Sequence, residues 1–308
     1  MQVGLHNFSG PLLCGTAAVK VADHQSGAPA TQRYLEHESE ILSVLRHPNI
    51  VNKLGAIYCP EDSTVLHGMV LELCHGTLAD IFTEGVRAPN KLVHTVARGL
   101  FNAVAYASGL YVVHNDIKLE NVLIKWGANG EMDCRLADWG LATGVGTLSH
   151  CRLGPAAYSA PEVARVFQPV PATHRSDVWM IGIVLMELLS GMRVDEAIDD
   201  IRDVQRQGLF FQEWRLVMHR CGIRAAPEWM ALCRWCLQED LTLRPTAQQV
   251  VELLEACTAT RGHGEVEWCP HPAAIHSASV RCPSQALTVQ ALHMVPTRWA
   301  RLDSLIAL

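Results

Sequence analysis

Between two apolar runs, the stretch VVHNDIKLENVLI (112–124) gathers an acid, a cation and an amide in Asp116, Lys118 and Asn121. A polar turn joining two strands has no need of these particular groups. Phosphoryl transfer does, because its protein catalyst supplies mainly position and charge neutralisation. Asp116 can orient an attacking hydroxyl and take its proton, and Lys118, two residues on, can neutralise the transferring phosphoryl group. Asn121 can hold a metal ion through its amide oxygen. Further along, LADWG (136–140) offers Asp138 as a second metal ligand, and Gly140 after it frees the backbone to turn sharply.

These groups need a scaffold, and the hydrophobic patterning predicts one in two parts. Up to about residue 75 the chain reads as a small sheet with one helix. β-like runs at TAAVKVA and VLHGMVLELC flank the helical segment QRYLEHESEILSVL. That helix should end at RHPNI, where Pro48 disfavours helix at the residue before it. From residue 77 helical patterns dominate, broken by the polar loop at 114–121, a β-like CRLADWG and a Gly-rich stretch up to Pro161. The apolar run VWMIGIVLMELL from Val178 carries Glu187 and falls well short of the roughly 20 residues a bilayer needs, so it reads as a buried core helix. From about residue 258 Gly, Pro, His and Ser replace the periodicity, as in a linker. The terminal TRWARLDSLIAL regains helical spacing through Trp299, Leu302, Leu305 and Ile306, and should pack back on its own domain.

The chain of 308 residues is 49% hydrophobic and 18% charged, which describes a folded globular protein rather than a disordered one. A net charge of -6 without any basic run gives no reason to expect a nucleic-acid partner. Eleven scattered cysteines, an odd number in a chain of this size, point to a reduced, intracellular and cytoplasmic setting without disulfide staples. The opening MQVGLHNFSGPLLCGTAAV lacks the charged leader of a signal peptide, and no membrane association is expected. Cys233 and Cys236 form a C-x-x-C, but within helical apolar spacing and with no second pair at zinc-site distance, so they are expected in a core.

Taken in order, the motifs resemble those of the eukaryotic-type protein kinases, over roughly residues 4 to 257. HNDIKLEN is similar to the family's catalytic loop and DWG to its metal-binding D-F-G. The resemblance implies an α+β, bilobal fold, with a small β-rich N-lobe to about residue 75, a larger mostly helical C-lobe to about 257, and a C-terminal linker over 258–308. It implies Lys20 in TAAVKV as the phosphate-binding strand lysine and Glu38 as its partner on the helix. Glu72 to Cys74 in LELC resembles the hinge that bonds adenine through its backbone, with Leu71 as gatekeeper. YSAPEV gives the A-P-E triplet as Ala160, Pro161 and Glu162, with Arg244 in LTLRPTA as the ion-pair partner of Glu162. Asp177 should brace the catalytic loop. ATP and Mg are the implied cofactors and a protein the implied substrate.

Several positions depart from the family pattern. The glycine-rich loop is reduced. By spacing Gly4 stands as its third glycine, or else Gly10 closes a shortened loop with a tight hairpin at Gly15 and Thr16. Either arrangement leaves fewer backbone amides over the phosphates and predicts weakened ATP binding. Asn115 replaces the arginine on which a phosphorylated activation segment docks, which argues against control by such phosphorylation. Trp139 replaces phenylalanine in the D-F-G. Lys118 is the residue of serine/threonine kinases, whereas Pro155 is that of tyrosine kinases; Lys118 meets the chemistry directly and carries more weight. Thr143, Thr147, Ser149 and Tyr158 lie in the activation segment as hydroxyls open to phosphorylation. The expected function is transfer of the ATP γ-phosphate to serine or threonine of a protein. The alternative is a pseudokinase that serves as a binding module because the glycine loop is reduced. The compact form and eroded motifs are also similar to the kinases of large DNA viruses.

Overall fold

A computed structural model of the chain describes residues 3–10, 13–21, 29–59, 62–127, 130–149, 156–164, 170–198 and 209–259. Its N-terminal part is an antiparallel sheet. β1 (Val3–Gly10) pairs with β2 (Leu13–Val21) from Val3 opposite Lys20 to Gly10 opposite Leu13. β3 (Lys53–Tyr58) and β4 (Leu66–Glu72) complete the order β1-β2-β4-β3. Of the two arrangements open for the glycine loop, the hairpin at Gly15 and Thr16 is therefore not formed. Those residues lie inside β2, opposite Phe8 and Asn7, and the connection falls at positions 11–12. A run of ladder bonds outweighs the turn preference of a single glycine, which a strand accommodates.

Helix α1 (Pro29–Val44) lies between β2 and β3. Its buried face runs through Leu35, Ile41, Leu42 and Leu45 at helical spacing, and Glu38 sits on that same face with 1% exposure. A carboxylate among leucines is costly unless something pairs with it. Beyond the helix, Arg46 caps its last turn by donating to Leu42 O at 2.5 Å and Leu45 O at 3.0 Å. The HPNI stretch then anchors the small lobe to the large one. Asn49 Nδ2 donates to Asp133 Oδ1 and Cys134 O, and Val51 N–H donates to Leu136 O at 3.0 Å.

The large lobe begins with β5 (Gly76–Thr77) and α2 (Leu78–Ile81), which a Thr77–Asp80 capping box starts. α3 (Asn90–Gly109) is followed by β6 (Val112–Val113), β7 (Val122–Trp126), β8 (Met132–Leu136) and β9 (Thr143–Gly144). β5, β7 and β8 form one small sheet and β6 pairs with β9. Short helix α4 (Pro161–Ala164) precedes α5 (His174–Ser190), which is buried from Ser176 to Ser190. Thr173 caps α5 by accepting from Arg175 N–H, and Gly191 ends it at φ +69, where an added Cβ would lie 2.8 Å from the Val86 backbone. A turn of helix, α6 (Val194–Ala197), and three longer helices at Phe210–Arg220, Pro227–Cys236 and Ala247–Ala259 complete the described structure.

One continuous hydrophobic core joins both parts, with Trp139, Trp179, Trp214 and Trp229 all fully buried in it. Such packing is what makes α5 a rigid support for the loops above it. Cys233 and Cys236 belong to this core, burial pushing both thiols up, and no metal-holding cluster of His, Cys, Asp and Glu occurs among the described residues. Among the same residues no helix is long and apolar enough to cross a membrane. The expected linker and terminal helix beyond residue 259 lie outside the described residues, as does Pro155.

Candidate active site

The polar stretch of 114–121 sits between β6 and β7, held from below by α5. Asp177, 1% exposed, accepts the backbone N–H of His114 at 2.8 Å and that of Asn115 at 2.9 Å. Burial pushes its carboxyl up to about 7 even though both donors favour the charged form. Asn115 takes a left-handed conformation, φ +67, which asparagine tolerates better than other side-chain-bearing residues. That kink turns the next residue back over the loop. Asp116 then receives Lys118 Nζ at 2.8 Å and Asn121 Nδ2 at 2.8 Å, while Asn121 Nδ2 also donates to Asp116 O at 2.7 Å. Burial raises the Asp116 carboxyl, and the bonds from Lys118 and Asn121 oppose it without cancelling the rise. A carboxylate of raised basicity is better suited to accept a proton.

A second cluster forms where the lobes meet. Lys20, on β2 and 5% exposed, donates to Glu38 Oε2 at 2.5 Å and to Asp138 Oδ1 at 2.9 Å. Burial alone would lower the Lys20 ammonium, but the two carboxylates outweigh it and hold the cation. This resolves the buried charge on α1: Glu38 neutralises Lys20, and its other oxygen accepts Trp139 N–H at 3.3 Å. Asp138 is itself left-handed, φ +59 and ψ +70, in the turn below β8. Burial raises its carboxyl, yet Lys20 overrides that and holds it below the ordinary range. Trp139 is fully buried, with its indole N–H on Leu136 O at 3.3 Å and its ring edge-on to His114 at 4.5 Å. Ala137 ties the two clusters together. Its N–H donates to Asn121 O at 2.9 Å and its carbonyl meets His114 Nε2 at 3.0 Å.

Among the described residues no protein donor reaches Asn121 Oδ1 or Asp138 Oδ2, and the Asp138 side chain is 38% exposed. Two hard oxygens free of protein donors fit Mg, which is held by few protein ligands and completes its shell with water and phosphate. The geometry thus draws Lys20, Glu38, Asp116, Lys118, Asn121 and Asp138 together. Gly4 stands elsewhere, second in β1 and opposite Val19. Glu72 ends β4, and its side chain serves as a tie between lobes: it accepts Asn52 N–H at 2.9 Å, Arg135 Nε at 3.5 Å and Lys125 Nζ. Cys74 follows, half-buried, its thiol pushed up to about 11 by burial and by Glu72. Sequence reasoning missed Lys125 and Arg135, whose alternate positions in facing strands were the only signal. It placed Glu187 in a buried helix but missed its partners: Glu187 accepts Tyr158 Oη–H at 2.7 Å and Val194 N–H at 2.9 Å beside Arg193. Deeper in the lobe Arg244, with no exposure, grips Glu162 through two bonds of 2.7 and 2.8 Å.

A family model described as the protein kinase domain matches residues 14–253, the span that carries both clusters. The chain belongs to the protein kinase family. Its members use ATP and Mg in general, which agrees with the oxygen pair described above. The chain is 30% identical over 241 residues to the testis-specific serine/threonine-protein kinase 3 of Homo sapiens, covering 76% of the chain and 83% of that relative. The Mus musculus protein of the same name is 29% identical over 240 residues. A serine/threonine-protein kinase of Drosophila melanogaster is 30% identical over 194 residues, covering 63% of the chain but only 24% of that relative. The chain therefore spans about a quarter of the length of the Drosophila proteins it matches.

Proposed function

We propose that the chain is a working serine/threonine protein kinase, which transfers the γ-phosphate of ATP to a serine or threonine hydroxyl of a protein. The observation that carries this reading is the intact Lys20–Glu38–Asp138 chain of contacts standing beside Asp116, Lys118 and Asn121. Lys20 would hold the phosphates of the nucleotide, with Glu38 fixing the position of its ammonium. Backbone groups from Glu72 to Cys74 would take the adenine, and β1, which carries Gly4 and pairs with the Lys20 strand, is the remnant of the glycine-rich loop. Asp138 and Asn121 would hold Mg, which when bound neutralises phosphate charge. Asp116 orients the substrate hydroxyl and accepts its proton as the new O–P bond forms and the bond to the ADP leaving group breaks. Lys118 spreads the charge of the transferring group. Its place two residues from Asp116 and the names of the relatives favour serine or threonine as acceptor.

The test is transfer from γ-labelled ATP with Mg to a mixed protein substrate, comparing wild type with Asp138→Ala and identifying the labelled amino acid. Label on serine or threonine that disappears in the variant is the expected result. Absence of label in wild type, with no ATP-dependent rise in Tm, would overturn it in favour of a binding module.

A further inference from the structure

The Asn115 side chain does more than tolerate its kink. Buried to 8% exposure, its Nδ2 donates to Thr143 Oγ1 at 2.9 Å and Leu141 O at 3.0 Å, with Val113 O at 3.4 Å. Leu141 and Thr143 open the activation segment, directly after the D-W-G turn. The same residues are held from two other sides. Val113 pairs with Thr143 and Val112 with Gly144, Val145 N–H donates to Tyr111 O at 2.9 Å, and His37 Nε2 on α1 meets Ala142 O at 2.6 Å. No carboxylate or guanidinium takes part in these bonds. We propose that Asn115 is a positioning residue that locks the start of the activation segment to the catalytic loop through neutral hydrogen bonds, so that this part of the segment stays ordered without a phosphate group on it.

The physical argument has two steps. An amide that donates to a carbonyl and a hydroxyl is satisfied by neutral partners and gains nothing from an added phosphate, unlike a guanidinium, which needs an anion to balance its burial. Asn115 also precedes Asp116 directly, and its own N–H is fixed by Asp177. Displacement of Leu141–Thr143 would therefore reach Asp116 through one rigid residue. The proposal rests on the kinase reading for its catalytic consequence, while its structural half can be measured without any transfer.

The experiment follows amide hydrogen exchange of the peptide covering residues 141–145, together with kcat and KM for ATP. It compares wild type before and after phosphatase treatment with Asn115→Gly, Asn115→Asp and Thr143→Val. Glycine keeps the left-handed backbone and removes only the amide, and aspartate keeps the shape but cannot donate. Wild-type exchange should be unchanged by phosphatase. In both Asn115 variants exchange should quicken by about tenfold or more and kcat fall by a similar factor, with KM for ATP nearly constant because Lys20, Glu38 and Asp138 are untouched. Thr143→Val, which spares the Leu141 bond, should show a smaller change in both readings. Exchange in Asn115→Gly equal to wild type, or a wild-type segment that opens on dephosphorylation alone, would overturn the proposal. Wild type without any transfer would sink the kinase reading instead, and exchange by itself would still decide the role of Asn115.

Discussion

Arg244→Ala tests the internal frame that supports the site. The guanidinium makes two bonds to Glu162 at 2.7 and 2.8 Å, one to Arg175 O at 2.8 Å and one to Gln238 O at 3.0 Å, and lies 5.1 Å from the Trp179 ring centre. Alanine would leave two carbonyls and a carboxylate facing a cavity, with Ser176 Oγ as the remaining side-chain donor to Glu162. Removing one partner from a buried pair costs about 3 to 5 kcal/mol. In a unit of this size 1 kcal/mol moves Tm by about 2 to 4 °C, so a fall of roughly 6 to 20 °C is expected. Thermal unfolding of wild type, Arg244→Ala, Glu162→Ala and the double variant measures it, and the second substitution should cost little once the first is made. The pH dependence has a definite sign. Burial raises the Glu162 carboxyl but Arg244 overrides it, leaving the folded value depressed. Its contribution is then present above the unfolded value of about 4.3 and lost as pH falls through the lower folded one. The Tm gap between wild type and Arg244→Ala should accordingly narrow between pH 6 and pH 3. A Tm unchanged by Arg244→Ala, or strictly additive losses in the double variant, would refute the reasoning.

Asp116→Asn should lower transfer by about two to four orders of magnitude while ATP affinity stays nearly constant, because the amide cannot accept the hydroxyl proton; equal activity would remove Asp116 from that role. Glu187 gives an opposite pH signature to that of Glu162. Burial pushes its carboxyl up to about 7 despite the bonds from Tyr158 and Val194, so its contribution is full below the unfolded value and lost as pH rises through about 7. Between pH 6 and 8 wild type should lose about 1 kcal/mol more stability than Glu187→Gln does. Parallel Tm curves for the two proteins would show that Glu187 does not titrate there.

The catalytic loop was legible because its chemistry is local. Asp116, Lys118 and Asn121 lie within six residues, and their mutual bonds close around one carboxylate wherever the chain places the loop. The helix of α1 and the buried α5 were legible for a similar reason, since each shows its apolar periodicity or continuous apolar run over many residues. β1 and β3 were not. β3 carries Gly55 and breaks register between Lys53 and Gly55 and again between Ile57 and Tyr58, which erases the alternation that marks a strand. The turn offered as one alternative at Gly15 and Thr16 failed because both residues lie within the β1–β2 ladder, opposite Phe8 and Asn7, and that pairing overrides a local preference.

The sequence by itself determined which chemical groups the protein has and the order in which they come. From the order alone Lys20 and Glu38 could be matched to a family, but not shown to touch. Only the tertiary structure decided that they meet at 2.5 Å, that Asp138 joins them across 118 residues, and that Asn115 binds the activation segment instead of merely lacking a charge. The reason is the range of the forces. Covalent spacing fixes what neighbours along the chain can do, whereas the protonation of Asp116, Asp177 and Glu187 is set by burial and by which charges share that burial. Those depend on the whole fold, because desolvation is a property of everything packed around a group and not of the residues beside it in sequence.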